Sequence, residues 1–185
     1  LHYPDGSSAW YGNAGNSRGR LEWALYKKQD PQGNAIEYNY VQSGNLLRID
    51  KIKYGARNGQ TSPNYIQFTY EIRNRPESSY VNGILFTRKY ILDKISVYGK
   101  NTLYRKYQLL HNTSSLSYQK LRSVTESDAH GVSFSPIQFR YQKTSSQTIR
   151  KVTQNHKIYP GVNYKTSLLF GGDFDGDGKT DVISY

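Results

Sequence analysis

The 185-residue chain has no cysteine, no methionine and only 6 alanines, and its apolar residues never gather into a run of membrane-spanning length. The missing cysteine excludes disulfide scaffolds, zinc–thiolate sites, iron–sulfur clusters and thiol nucleophiles. A transmembrane helix, which needs about 20 consecutive apolar residues, is excluded as well. Scarce alanine removes the strongest helix former, while 18 tyrosines, together with isoleucine, valine and threonine, favour strands. Hydrophobic residues at 36% and aromatics at 14% argue against wholesale disorder. The composition therefore predicts an all-β globular chain. Leu1-His2-Tyr3-Pro4-Asp5-Gly6 has neither the basic nor the apolar region of a signal peptide. With no methionine present, the chain reads as a piece of a longer polypeptide, any export signal lying outside it.

What is present is organised by repetition. Ile36-Glu37-Tyr38-Asn39-Tyr40, Ile66-Gln67-Phe68-Thr69-Tyr70 and Ile137-Gln138-Phe139-Arg140-Tyr141 place apolar or aromatic residues at alternate positions, and Tyr107-Gln108-Leu109-Leu110-His111 is a looser copy. Period 2 predicts strands with one covered and one wet face. A second motif follows: Leu47–Gly55 and Tyr90–Gly99 share Asp-Lys-Ile followed by Tyr-Gly, and Leu121–Thr125 is a degenerate version. Asp30–Asn34, Ser43-Gly44-Asn45, Arg57-Asn58-Gly59 and Val81-Asn82-Gly83 supply residues suited to turns. These features predict antiparallel strand-pair repeats. Tyr159-Pro160-Gly161 marks a boundary, giving a β domain over 1–160 and a distinct tail over 161–185.

The tail also differs in charge. Residues 173–185 carry net −3 and the preceding body +14, which together give the overall +11. Within the tail, Asp173-Phe174-Asp175-Gly176-Asp177-Gly178-Lys179-Thr180-Asp181 spaces carboxylates at alternate positions, as Ca²⁺ requires for its six to eight oxygen ligands. Asp173, Asp175 and Asp177 are the expected inward ligands, Lys179 offers its carbonyl, and Asp181 closes the site. An EF-hand would carry a bidentate glutamate where Ser184 stands, so the pattern predicts a shorter, strand-flanked calcium loop. Without a cation, four carboxylates in nine residues repel one another. Gly178-Lys179-Thr180 imitates the end of a phosphate-binding loop. Asp173 occupies the position of that motif's first glycine, and the carboxylates would repel a nucleotide.

The ordered series Tyr3-Pro4-Asp5-Gly6, Tyr11-Gly12, Trp23-Ala24-Leu25, Asp30–Tyr40, Ile49–Gly55, Phe68–Arg73 and Lys89–Ile95 resembles the SpvB-like domain of bacterial virulence proteins and of the B component of insecticidal toxin complexes. Phe170–Tyr185 is similar to an FG-GAP/VCBS repeat, the calcium-loop unit of propeller blades, and residues 142–160 match no motif of that series. The resemblance implies a β-rich segment of an Rhs-like shell running into the start of a propeller blade. It also implies a secreted or cell-surface bacterial protein whose partners are other toxin-complex components or the rest of its own polypeptide, with no catalytic residues here.

Other readings are weighed on their residues. None of the glutamates (Glu22, Glu37, Glu71, Glu77, Glu126) has another two positions away, so the Glu-x-Glu pair of an ADP-ribosyltransferase is lacking. His2, His111, His130 and His156 lack ligand spacing; His111 reads as a packed strand residue and His130 as a turn residue. A basic body rich in tyrosine could pair phosphates with stacking rings. Its lysines, among them Lys51 and Lys53, nevertheless alternate with apolar positions as a solvated face does, without a nucleic-acid-binding motif. Attraction to an anionic cell surface is a further use of that charge. Trp10, Tyr11 and Trp23 would serve an adhesion or carbohydrate-binding module.

Overall fold

The computed structural model describes residues 1–13, 16–114, 116–141, 169–172 and 181–184. It divides into two compact units, Leu1–Tyr141 and Gln142–Tyr185. In the first, nine strands form one sheet whose spatial order is their sequence order. They are β1 (Ser8–Tyr11), β2 (Leu25–Gln29), β3 (Asn34–Ser43), β4 (Leu46–Arg57), β5 (Asn64–Val81), β6 (Ile84–Gly99), β7 (Thr102–Thr113), β8 (Gln119–Asp128) and β9 (Ile137–Gln138). Every neighbouring pair is antiparallel. The all-β, antiparallel expectation is met among the described residues. In the second unit β10 (Leu169–Gly172) pairs antiparallel with β11 (Asp181–Ser184).

The turns follow backbone chemistry. Asn82 and Gly83 both take positive φ (49° and 75°), which suits the two-residue turn whose twist matches a hairpin. In the β2–β3 connection Gly33 has φ 85°, and the Asp30 carboxylate accepts from the Asn34 amide at 2.8 Å. Lys100 and Asn101 form another two-residue turn with φ 50° and 62°. The sequence gives little warning of it, because lysine seldom adopts that conformation.

The repeated Asp-Lys-Ile motif marks a recurrent irregularity. In β4, Asn39 opposes Lys51 and Tyr40 opposes Ile49, leaving Asp50 as the extra residue of a bulge. Asp93 is extra in β6, between pairs Thr69–Lys94 and Tyr70–Leu92. Arg122 is extra in β8, between Leu110–Ser123 and His111–Leu121. The hairpins β3–β4, β5–β6 and β7–β8 thus bulge at the same place in the motif.

Past the first two bulges, neighbouring hairpins part. The β4–β5 ladder ends at Lys51–Gln67 and the β6–β7 ladder at Lys94–Gln108. At each end the glutamine donates to both the carbonyl and the carboxylate of the bulged aspartate. These bonds are 2.9 and 2.9 Å for Gln67 to Asp50, and 3.1 and 2.6 Å for Gln108 to Asp93. The result is a sheet continuous at its base, from which two-stranded ribbons project.

The last copy along the chain departs from expectation. Ile137–Tyr141 was expected to be a full strand, yet only Ile137 and Gln138 belong to one, and Ile137, Phe139 and Tyr141 are exposed. Gln138 opposes Ser123 as Gln67 opposes Lys51, but the bulge beside it carries Arg122. No side-chain hydrogen bond joins Gln138 to Arg122 among the described residues. One backbone bond, from the Phe139 amide to the Arg122 carbonyl (2.8 Å), carries the pairing further.

Residues opposite one another share a face. Tyr38, Ile52, Ile66 and Val97 form one apolar row, and Phe68, Ile95 and Tyr107 the next. On the other face run Asn39, Lys51, Gln67, Ser96 and Lys106. The expected covered face is only half covered. Among the described residues the buried apolar side chains are Ala9, Ala35 and Ala56 alone, because a single layer of sheet screens each side chain only with its neighbours.

Candidate functional site

Of the predicted calcium ligands, Asp173, Asp175, Asp177 and Lys179 lie outside the described residues. Asp181 is the first residue of β11 and stands opposite Gly172. Four carboxylates and a carbonyl, the donors that the spacing predicts, are of the type a hard cation takes. Among the described residues no three histidines or acids gather into a metal-binding cluster, and no helix is long and apolar enough to cross a membrane.

The histidines are placed as expected where they are described. His130 sits in the β8–β9 turn, its amide donating to Asp128 at 2.9 Å. The His111 side chain is 6% exposed, with Nδ1 3.4 Å from Glu71 Oε1. It occupies the slot held in the other copies by Tyr40 and Tyr70, whose hydroxyls donate to the Leu25 and Ile49 carbonyls at 2.8 and 2.7 Å. Burial pushes both phenols above their usual 10.0, so each remains a donor at neutral pH. A raised folded-state value means that this contribution is complete below pH 10.0 and is lost as pH rises through the folded value. Alkaline unfolding of Tyr40→Phe/Tyr70→Phe should accordingly depend less steeply on pH above that point than the parent's. Identical pH slopes would remove these hydroxyls from the account.

The aromatic candidates do not form one platform. Trp10 is half-buried, with the Lys27 ammonium 5.2 Å from its ring centre. Tyr11 and Trp23 are exposed, and Trp23 lies directly against Gly12. Not all tyrosines pack on the apolar face. Tyr65 and Tyr98 oppose each other on the lysine-bearing face and stack at 4.4 Å, with Lys51 4.7 Å from the Tyr65 ring.

Sequence reasoning missed what happens between the ribbons. In β5, Arg73, Asn74, Arg75 and Pro76 stand against the single residue Lys89. Pro76, which cannot donate to a ladder, was the available signal. This bulge grips the β7–β8 hairpin. Asn74 donates to Gln119 (3.0 Å, from the backbone) and Thr113 (2.8 Å), Arg75 donates to the Leu116 carbonyl (2.8 Å), and its guanidinium covers the Tyr118 ring. Gln119 also donates to Glu71 at 3.1 Å.

A cleft opens between the β3–β4 and β5–β6 ribbons. Its volume is about 290 Å³, and its lining includes Leu46, Leu47, Arg48, Tyr70, Arg88 and Tyr90. The Arg48 guanidinium lies over two rings, 4.6 Å from the centre of Tyr70 and 4.0 Å from that of Tyr90. Glu22 also lines the cleft and accepts from the Leu47 amide at 2.8 Å. Asn45 at the β3–β4 turn donates to the Leu85 carbonyl at 2.8 Å, tying the two ribbons at their far ends.

No protein-family model matches the chain, and no curated protein matches it in sequence. Among solved structures it is similar to the N-terminal domain of effector protein SpvB from Salmonella typhimurium strain LT2, with TM-score 0.61 and 14% identity over 69% of this chain and 60% of that one. It is also similar to TcdB2-TccC3-TEV, with TM-score 0.63 and 15% identity over 78% of this chain. The match spans only 10% of that second chain. At such identities the likeness is one of fold: the chain shares its hairpin-built sheet with the SpvB N-terminal domain and with a segment of TcdB2-TccC3-TEV.

Proposed function

We propose that the chain is a non-catalytic structural segment of a secreted bacterial toxin-complex or Rhs-type protein, contributing sheet to a shell and leading into a calcium-binding propeller. The observation that carries this reading is the single-layer sheet with one apolar face half covered. A wall of a larger enclosure has such a face, and an independent domain normally packs it against a second layer. The shared fold with the SpvB domain and TcdB2-TccC3-TEV points the same way. Inside a shell the apolar face is covered by further polypeptide. The isolated chain should therefore bind an apolar-surface dye strongly, and the longer polypeptide that contains it should bind far less per mole. Equal dye binding by the two would sink the shell reading.

For the tail, Asp173, Asp175, Asp177 and Asp181, with the Lys179 carbonyl, would hold one Ca²⁺. Loops of extracellular type bind at about 10⁻⁴–10⁻³ M. At ten times Kd, calcium should stabilise the tail by roughly 1.4 kcal/mol relative to EDTA. Asp175→Ala should abolish that shift. Melting curves that coincide in calcium and EDTA, for both the chain and a longer tail, would remove the metal from the proposal.

A further inference from the structure

We propose that the cleft between the β3–β4 and β5–β6 ribbons is a carboxylate-binding site, with Arg48 as its receptor and the acidic side chain of a polypeptide partner as its ligand. This goes beyond the shell reading and does not depend on it. The Arg48 guanidinium lies over the rings of both Tyr70 and Tyr90, contacts that hold it at the cleft. Its Nη1 is buried with no hydrogen-bond partner, and no ion pair involves Arg48 among the described residues. Buried donors are nearly always satisfied, and one left without a partner is costly. A carboxylate seated at the open Nε/Nη2 edge, which is not among the buried atoms, supplies the missing counter-charge.

The carboxylates bordering the cleft already have partners of their own. Glu22 accepts from the Leu47 amide at 2.8 Å, and Glu77, on the adjoining part of the groove, pairs with Arg73 at 2.8 Å. Arg88 and Lys89 are exposed along the cleft and add positive charge. A carboxylate fits better than a phosphate. Its planar pair of oxygens matches the guanidinium fork by two parallel N–H···O bonds. The apolar walls formed by Leu46, Leu47, Tyr70 and Tyr90 suit the aliphatic stem of a glutamate. A dianionic phosphate would give up more hydration there than exposed cations return. About 290 Å³ lies at the small end for ligand pockets, enough for one side chain and its flanking backbone.

The test uses the whole 185-residue chain. A capped Ala-Glu-Ala peptide, its glutamine counterpart and inorganic phosphate are titrated separately while the Arg48 Nε–H resonance is followed by NMR. The glutamate peptide should shift that resonance saturably and the glutamine peptide should not. Arg48→Lys, which keeps the charge but loses the fork, should weaken binding roughly tenfold. Arg88→Ser and Lys89→Ser should weaken it less; both alter exposed side chains and stand in for Arg48→Lys if that variant fails to fold. The proposal is overturned by no response to the glutamate peptide, by an equal response to the glutamine peptide, or by unchanged affinity in the variants. Phosphate binding more tightly than the glutamate peptide would overturn the assignment to a carboxylate.

Discussion

Replacing Asp50 and Asp93 together by alanine should lower the stability of the sheet by about 2–4 kcal/mol, roughly 1–2 from each site. Each carboxylate accepts from a part-buried glutamine amide at the point where two hairpins separate. Without it, Gln67 keeps only the Asp50 and Phe68 carbonyls and Gln108 only that of Asp93, and the last ladder pair, Lys51–Gln67 or Lys94–Gln108, becomes the first to fray. The sites lie in different hairpins and share no partner, so their effects should add. In a unit of this size each kcal/mol lowers Tm by roughly 2–4 °C, which calorimetry resolves. The reciprocal change, Arg122→Asp, offers Gln138 the acceptor that its counterparts have, and should add up to about 1 kcal/mol. A double variant that melts with the parent would show that the bulges shape the ribbons without these side chains.

Tyr70→Ala should cost about 2–3 kcal/mol, against about 1 kcal/mol for Tyr70→Phe. The smaller figure is the hydroxyl bond to the Ile49 carbonyl, made across the gap between β4 and β5 beyond the end of their ladder. The rest is the half-buried ring, which also supports one side of Arg48. Urea unfolding of the two variants separates the contributions. Equal losses would place the whole effect in the hydroxyl, and a neutral Tyr70→Phe would place it in the ring.

Much of this fold is legible in the sequence because strands and turns are local. The alternation in Ile36–Tyr40 and Ile66–Tyr70 locates β3 and β5, and Asn82-Gly83 locates the turn at the end of the longest hairpin. The repeated Asp-Lys-Ile is equally visible as a repeat. Its role is not, because a bulge is one residue too many relative to a partner, and register is a property of two strands. The cleft was hidden for a similar reason: Arg48, Tyr70 and Tyr90 belong to three strands and meet only where the ribbons diverge. The covered face was half legible. Alternation says which side chains point one way, but not whether anything lies over them. The predicted calcium ligands remain a reading of spacing.

The strict sequence order of the nine strands also has a kinetic consequence. Each strand's ladder partners are its immediate predecessor and successor, so no pairing waits for a distant part of the chain. Loop closure is local at every step, which favours fast folding for a β protein. Stability should then behave as a chain of nearest-neighbour terms, as in linear repeat arrays. Such a sheet can zip up in the direction of synthesis, each new hairpin templated by the one already docked. It can also unzip from either end without first breaking its middle.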